Sequence, residues 1–177
     1  MGGRAVFLDR DGVINEAIVR DGKPYPPSNV AETRIGDGAR QALTELKRRG
    51  FLLLVVTNQP DVRRGRTSRE NVEEIHRFLA DQLPLDDFFA CYHDENDNCG
   101  CRKPKPGLLL EAAEKHGVDL KRSYLVGDRW RDIDAGAAAG CRTIFIDRDY
   151  QERAPSATPD FVASSLPQAV HWILKQT

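Results

Sequence analysis

Two aspartates, Asp9 and Asp11, lie on either side of Arg10 and directly follow the apolar run 5–8. A carboxylate at the end of a buried strand can attack phosphorus and form an aspartyl-phosphate, which divides the hydrolysis of a phosphate ester into two easier steps. A second carboxylate can protonate the leaving oxygen and later deprotonate the attacking water. Gly12 would free the backbone for a tight turn close to a substrate. By itself, this pattern is equally typical of a polar turn at the end of a strand.

Three further segments supply groups that such chemistry needs. The segment 56–59 ends a second apolar run with a hydroxyl and two amides, 102–107 offers a fixed cation before a predicted helix, and 127–132 contains two more carboxylates. Magnesium requires hard oxygen ligands and usually keeps several waters, so two aspartates and a backbone carbonyl are sufficient to hold it. The metal and Lys103 would stabilise charge on a transferring phosphoryl group. Together, the four segments predict a magnesium-dependent phosphatase.

The elements that must position these segments alternate between short apolar runs and stretches of helical period. The predicted strands are 5–8, 51–56, 88–92, 124–126, 143–146 and 161–162, and the predicted helices are 37–49, 67–83, 107–116, 132–139 and 166–175. This alternation predicts a Rossmann-like, doubly wound α/β domain with a parallel sheet, in which ligands bind beyond the carboxyl ends of the strands. Asp9, Thr57, His93 and Asp128 each follow an apolar run, so we expect them to converge at one edge. The segment 16–35 is predicted to be a loop.

Length and composition are those of an ordinary globular enzyme. The chain has 177 residues, which is enough for one domain, and we predict that this domain spans 1–177. Lys and Arg number 26 against 27 Asp and Glu, a balance that argues against a broad nucleic-acid surface. No apolar run approaches the roughly 20 residues of a membrane span, and the N-terminus leaves no room for a signal peptide. We therefore expect a cytoplasmic monomer without nucleic-acid or membrane partners.

A cysteine and histidine cluster forms a second candidate site within 91–101. Cys91, His93, Cys99 and Cys101 supply three thiolates and an imidazole, which is the ligand set of a closed, structural zinc site. A disulfide framework is not expected in a reducing compartment. The five polar residues between His93 and Cys99 would have no anchor without a metal. The sequence therefore predicts a zinc-binding loop, and a set of free thiols is the alternative.

The four catalytic segments, in this order and at these spacings, resemble the haloacid dehalogenase superfamily of phosphatases over residues 5–147. The resemblance implies that Asp9 is the nucleophile and Asp11 the general acid and base. It also implies that Thr57 and Lys103 hold the phosphoryl oxygens. Magnesium would be bound by Asp9, the backbone carbonyl of Asp11, and Asp128.

Two further assignments come from the same resemblance. Asp132 would support the magnesium site without binding the metal directly. Lys105 is an alternative to Lys103 as the phosphoryl-binding cation, although the family pattern R-K-P-x-P-G favours Lys103.

The pattern C-x-H…C-x-C-R-K-P-x-P-G resembles the branch of the superfamily that lacks a cap domain and contains heptose bisphosphate and histidinol phosphate phosphatases. No sizeable insertion separates the catalytic segments, so loops must supply specificity. The loop 60–66 resembles that of heptose bisphosphatases more than that of histidinol phosphatases. The guanidinium fork matches phosphate oxygens, so Arg64, Arg102 and Arg129 are candidate contacts for a second phosphate. Asn58 and Gln59 complete the predicted substrate contacts.

The resemblance therefore implies a phosphorylated sugar substrate. The leading candidate is D-glycero-D-manno-heptose 1,7-bisphosphate, from which the enzyme would remove the 7-phosphate in nucleotide-heptose synthesis. Histidinol phosphate is the alternative substrate, and an open site would also admit a phosphorylated nucleic-acid terminus. From another class, the chain could be a zinc-stabilised binding module on an inactive scaffold. The intact Asp9, Asp11, Lys103 and Asp128 argue against that interpretation.

Overall fold

Six parallel strands form the central sheet of this protein, which a computed structural model describes over residues 2–177. Numbered along the chain, the eight strands are β1 (Ala5–Leu8), β2 (Ile18–Arg20), β3 (Lys23–Tyr25), β4 (Leu52–Asn58), β5 (Asp87–Cys91), β6 (Tyr124–Gly127), β7 (Arg142–Ile146) and β8 (Phe161–Ala163). The central sheet has the order β5-β4-β1-β6-β7-β8, and every neighbouring pair is parallel. The predicted parallel α/β fold is confirmed.

Within residues 2–177, five α-helices cover the two faces of this sheet. They are α1 (Ala39–Arg48), α2 (Arg69–Gln82), α3 (Gly107–His116), α4 (Trp130–Ala139) and α5 (Leu166–Lys175). Apolar residues of α1, α2 and α5 belong to the core on one face, and those of α3 and α4 belong to the core on the other. The three layers follow from the sequence because each helix has one apolar stripe to bury.

β1 shows how a central strand serves both cores. Val6 and Leu8 lie in one core, and Ala5 and Phe7 lie in the other. All four side chains are fully buried, as a strand covered on both faces requires. Burial of each large side chain contributes roughly 1.5–3 kcal/mol. The turn after β1, which carries Asp9 and Asp11, is thus held by a strand that has little freedom to move.

The first turn of α4 begins earlier than the sequence pattern predicted. The helix starts at Trp130 rather than at Asp132. The Asp132 carboxylate accepts a hydrogen bond from the backbone N–H of Arg129 at 3.0 Å. A side-chain oxygen that satisfies a free N–H at a helix start stabilises that start. This contact fixes Asp132 beside the carboxyl end of β6.

A short hairpin lies within the segment 16–35, where the prediction of a loop was wrong for residues 18–25. β2 and β3 are antiparallel and are joined by Asp21 and Gly22, whose φ angles are 49° and 70°. Two residues with positive φ are typical of a tight hairpin turn, and Asp-Gly is a common sequence for it. Each strand has only three residues, and Pro24 inside β3 argued against a strand. Among residues 2–177, this hairpin and loops lie beyond the sheet edge, with no separate cap domain.

Candidate active site

The carboxyl ends of β1, β4 and β6 bring the predicted catalytic residues together. Asp9 follows β1, Thr57 lies near the end of β4, and Asp128 follows β6. Because these strands are neighbours in the sheet, the three side chains share one edge. Lys103, from the loop before α3, and Asp132 complete the group. Carboxylate oxygens of Asp9, Asp128 and Asp132 all lie within 4.8 Å of one another.

Lys103 occupies the centre of this group. Its Nζ is 2.8 Å from Asp9 Oδ1 and 2.6 Å from Asp132 Oδ1, and it donates a hydrogen bond to Val56 O at 2.7 Å. Burial opposes the charged form, but Asp132 and Asp9 raise the pKa of Lys103 above its ordinary value. Asn58 holds the lysine backbone, since its amide donates to Lys103 O at 3.0 Å and accepts from Lys103 N at 3.1 Å. The ammonium group is therefore fixed against the carboxylate expected to attack phosphorus.

The three clustered carboxylates fit a divalent cation. Burial, with the negative charge of Asp132 nearby, raises the pKa of Asp9 to about 6 despite Lys103. Burial, together with Asp9 and Asp132, also raises the pKa of Asp128 well above its ordinary value. Neither buried oxygen of Asp128 has a hydrogen-bond partner of normal geometry among residues 2–177. A hard cation would satisfy these oxygens and relieve the repulsion, which is the chemistry of a magnesium site.

Gly12 provides the space in front of Asp128. Its φ is 88°, and a Cβ atom at this position would lie 1.8 Å from Asp128 Oδ2. Position 12 therefore requires glycine both for its backbone conformation and for the approach of the carboxylate.

Asp11 is held as a carboxylate by three neighbouring side chains. Arg10 donates two hydrogen bonds to it, both at 3.0 Å, and the amides of Asn15 and Gln59 each donate one at 2.9 Å. Burial opposes ionisation, but the charge and hydrogen bonds of Arg10, with the two amides, lower the pKa of Asp11. Asn15 was not identified from the sequence, because it belongs to no apolar period and its partner is set by the turn.

The two predicted amide contacts with substrate have different positions. Asn58 lines the central cavity, as expected. Gln59 is buried, does not line that cavity, and donates to Asp11 and to Thr57 Oγ1 at 3.0 Å. Gln59 therefore holds the side chains of Asp11 and Thr57, and its predicted contact with substrate stays a prediction.

A cavity of about 410 Å³ opens above the catalytic group. This volume lies within the range of ordinary small-ligand sites. The basic side chains that line it are Lys23, Arg64, Arg66, Arg102, Lys103, Arg129 and Arg131. Sequence reasoning had singled out Arg64, Arg102 and Arg129, whereas Lys23 of the hairpin and Arg131 were missed. Apart from the catalytic group Asp9, Asp11, Asp132 and Lys103, the lining has six basic side chains and three carboxylates, those of Asp61, Glu95 and Glu152. A ligand that fills this cavity therefore meets a wall with an excess of positive charge.

The second predicted site is also assembled. The Sγ atoms of Cys91, Cys99 and Cys101 lie 3.1–3.7 Å from one another, and His93 Nδ1 lies 3.5 Å from Cys91 Sγ and 3.3 Å from Cys101 Sγ. Zinc–sulfur bonds of about 2.3 Å in a tetrahedron separate sulfur atoms by nearly 3.8 Å, so the donor set fits a zinc ion. Burial raises the pKa of Cys91, so zinc would have to displace a proton there.

The loop 91–101 is tied to its surroundings by ion pairs and hydrogen bonds. Asp97 accepts from Arg63 Nε at 3.1 Å. Lys105 Nζ donates to Asn98 Oδ1 at 3.1 Å and to Cys99 O at 2.7 Å. Lys105 therefore braces this loop and does not reach the catalytic carboxylates.

Among residues 2–177, no helix combines the length and apolar character needed to cross a bilayer.

Comparisons with known proteins give a consistent result. A family model described as HAD-hydrolase-like matches residues 100–169. The D-glycero-beta-D-manno-heptose-1,7-bisphosphate 7-phosphatase of Escherichia coli (strain K12) is 37% identical over 183 aligned positions, which cover 94% of this chain and 93% of that protein. The enzyme of the same name from Helicobacter pylori (strain J99) is 32% identical, with coverage of 96% and 97%.

A solved structure extends the likeness to three dimensions. D,D-heptose 1,7-bisphosphate phosphatase from B. bronchiseptica, complexed with magnesium and phosphate, matches with a TM-score of 0.83 and 30% identity, covering 98% of this chain and 99% of that one. The similarity therefore includes nearly every element that positions the site.

Proposed function

Because this chain belongs to the haloacid dehalogenase-like hydrolases, in the family of the D-glycero-beta-D-manno-heptose-1,7-bisphosphate 7-phosphatases, we propose that it removes the 7-phosphate of D-glycero-D-manno-heptose 1,7-bisphosphate. It is a phosphomonoester hydrolase. The observation that carries the proposal is the buried Asp9–Lys103–Asp132 group at the base of a cavity with a basic wall. The product would enter nucleotide-heptose synthesis.

The proposed reaction has two steps at Asp9. Its carboxylate attacks phosphorus, and the bond from phosphorus to the sugar oxygen breaks as the aspartyl-phosphate forms. Lys103 favours the ionised form of Asp9 and, with Thr57, binds the phosphoryl oxygens. Magnesium, bound by Asp9, Asp128 and the Asp11 backbone carbonyl, would supply positive charge to these oxygens.

Asp11 transfers protons in both steps of this proposal. It gives a proton to the leaving sugar oxygen, and it then takes one from the water that hydrolyses the aspartyl-phosphate. The contacts from Arg10, Asn15 and Gln59 favour the carboxylate that the second step needs. An anionic substrate beside Asp11 favours its protonated form, which the first step needs.

The basic wall supports a substrate with two phosphates. One phosphate would react at Asp9, while the other remains within reach of the arginines of the same cavity. A monophosphate such as histidinol phosphate would have no second phosphate to place against these arginines.

The proposal extends to the second metal, the compartment and the assembly. A structural zinc bound by Cys91, His93, Cys99 and Cys101 is supported by their spacing. Thiolate ligands require a reducing environment, which supports the cytoplasm. We also propose that the enzyme acts as a monomer.

The substrate is tested by comparing kcat/KM for D-glycero-D-manno-heptose 1,7-bisphosphate, fructose 1,6-bisphosphate and histidinol phosphate in magnesium. We expect the heptose bisphosphate to be preferred by at least about tenfold, since a charge-assisted contact with a second phosphate has that magnitude. A preference for histidinol phosphate would contradict the proposal.

A further inference from the structure

The arginines of the cavity wall differ in how completely their charge is already neutralised. Arg64 Nη2 lies 2.6 Å from Asp94 Oδ1, and its Nη1 lies 3.6 Å from Asp61 Oδ1. The Nε and Nη2 atoms of Arg129 both donate to the Glu152 carboxylate. A substrate phosphate would have to replace a well-formed carboxylate partner at each of these arginines.

Arg131 has much weaker partners. Its nearest carboxylate is Glu95, whose Oε1 lies 3.8 Å from Arg131 Nη1 and is shared with Arg102 Nη2 at 3.4 Å. The Glu95 side chain is 66% exposed, whereas that of Arg131 is only 17% exposed. Arg131 Nε is buried and has no hydrogen-bond partner among residues 2–177. Burial, with Arg129 and Arg102 nearby, lowers the pKa of Arg131. This guanidinium group therefore lacks the anion that its neighbours have.

The position of Arg131 places this unmet charge in the catalytic cavity. Arg131 precedes Asp132, which contacts Lys103 at the reacting end, and both Arg131 and Asp132 line the cavity. The Arg131 guanidinium lies 4.9 Å from the ring of Trp130, which gives it an aromatic support. The nearest carboxylate to its Nη1 atom is that of Glu95 in the loop 91–101, which also lines the cavity. This end of the guanidinium therefore lies on the cavity wall, where a second phosphate could meet it.

We propose that Arg131 is the residue that determines specificity for a bisphosphate, by binding the phosphate that is not cleaved, and that Glu95 competes for the same guanidinium when substrate is absent. This inference deepens the proposed function and rests on it. Arg64 and Arg129 then have a smaller part in recognising the second phosphate, because Asp94 and Glu152 already satisfy them.

The test compares Arg131→Gln with wild type on D-glycero-D-manno-heptose 1,7-bisphosphate and on the 7-phosphate that lacks the 1-phosphate. Loss of a charge-assisted contact should lower kcat/KM for the bisphosphate by about 10- to 100-fold, through KM, while kcat is retained. For the monophosphate, kcat/KM should change by less than about threefold. Arg153→Gln is the matched control, because Arg153 also packs against Trp130, at 3.5 Å from its ring centre, but does not line this cavity.

Glu95→Gln tests the competing carboxylate. Removal of its charge should lower KM for the bisphosphate by a few-fold and leave KM for the monophosphate unchanged. An equal effect of Arg131→Gln on both substrates, or no effect on either, would overturn the inference. A wild-type preference for a different bisphosphate would contradict only the proposed function, and the same comparison is then made on that bisphosphate and its monophosphate. A wild type with no preference for any bisphosphate over its monophosphate would contradict both.

Discussion

Asp9 and Asp11 have opposite electrostatic environments although they are separated by one residue. Burial, together with the negative charge of Asp132 beside it, raises the pKa of Asp9 to about 6. Asp11 accepts a forked pair of hydrogen bonds from Arg10, which lowers its pKa although it is buried. The difference arises because the Asp9 carboxylate lies among those of Asp128 and Asp132. The Asp11 carboxylate instead accepts hydrogen bonds from Arg10, Asn15 and Gln59.

The first prediction concerns Asp9→Asn. The amide keeps the shape of the side chain but cannot form an aspartyl-phosphate, so kcat/KM should fall by at least about a thousandfold. Lys103 retains Asp132 as an ion-pair partner, so the fold should persist. Phosphate release and the thermal unfolding midpoint are the two measurements. Activity within tenfold of wild type would show that another residue attacks phosphorus.

The second prediction concerns Gly12→Ala. A Cβ atom there would lie 1.8 Å from Asp128 Oδ2, so the carboxylate must move and the apparent affinity for magnesium should fall at least about tenfold. Magnesium activation curves measure this change. Gly50→Ala is the control, because Gly50 also has positive φ, at 78°, but a Cβ atom at position 50 would meet nothing within 4 Å. A comparable loss of magnesium affinity in both variants would contradict the steric argument.

At the scale of elements, the loop 91–101 connects the zinc-ligand cluster to the active site. Asp94 of this loop pairs with Arg64, and Glu95 approaches Arg102 and Arg131. Residues 102 and 103 follow directly after the last cysteine of the cluster. A metal that orders the loop would therefore order part of the cavity wall.

The third prediction concerns Cys99→Ser. Loss of one thiolate should reduce bound zinc, lower the unfolding midpoint by several degrees and raise KM more than it lowers kcat. Metal content by mass spectrometry and calorimetry measure the first two effects. Cys141→Ser is the control, because Cys141 is buried before β7 but is not one of the four clustered ligands, so its loss should change stability but not zinc content. Wild-type protein that contains no zinc after purification would contradict the structural-zinc proposal.

The hairpin β2–β3 is the second element with a part in the site. Lys23 and Pro26 line the cavity, and Gly22 O accepts a hydrogen bond from Gln151 N at 2.9 Å. The hairpin is therefore tied to the loop that carries Glu152.

At the scale of the whole molecule, the prediction of one doubly wound sheet is confirmed. The helices 107–116 and 166–175 have the predicted bounds, because a glycine or a serine cap defines their limits. The six apolar residues 51–56 predicted a strand covered on both faces, and the structure places β4 at Leu52–Asn58.

The fourth prediction concerns acid stability and His76 on α2. The ring stacks on Phe88 at 4.7 Å, and burial, with the charge of Arg10, lowers the pKa of His76 from 6.5 to about 3. Between pH 6.5 and pH 3, His76 is protonated in the unfolded chain but neutral in the folded protein. The free energy of unfolding therefore decreases as the pH falls below 6.5. Its contribution is fully present above pH 6.5 and is lost progressively toward pH 3.

Urea unfolding of wild type and His76→Phe at pH 8 and pH 5 measures this effect. Phenylalanine keeps the stacking but cannot bind a proton. The loss of unfolding free energy between the two pH values should be smaller in the variant by about 2 kcal/mol. Effects of acid on metal binding are shared by both proteins and cancel in the difference. An identical loss in both would contradict the assignment.

The sequence by itself determined the six strands of the central sheet, the five α-helices to within about two residues, and the residues at the carboxyl ends of the strands, because apolar period and glycine positions are local features of the chain. It also indicated the Asp9–Asp11 pair and the cysteine cluster, since their spacing is short. It did not indicate the hairpin strands β2 and β3. Only the tertiary structure decided which partners these side chains have. Gln59 supports Asp11 instead of facing the cavity, and Arg131 is left without a full partner. Such outcomes depend on distances between segments far apart in the chain, which no local pattern records.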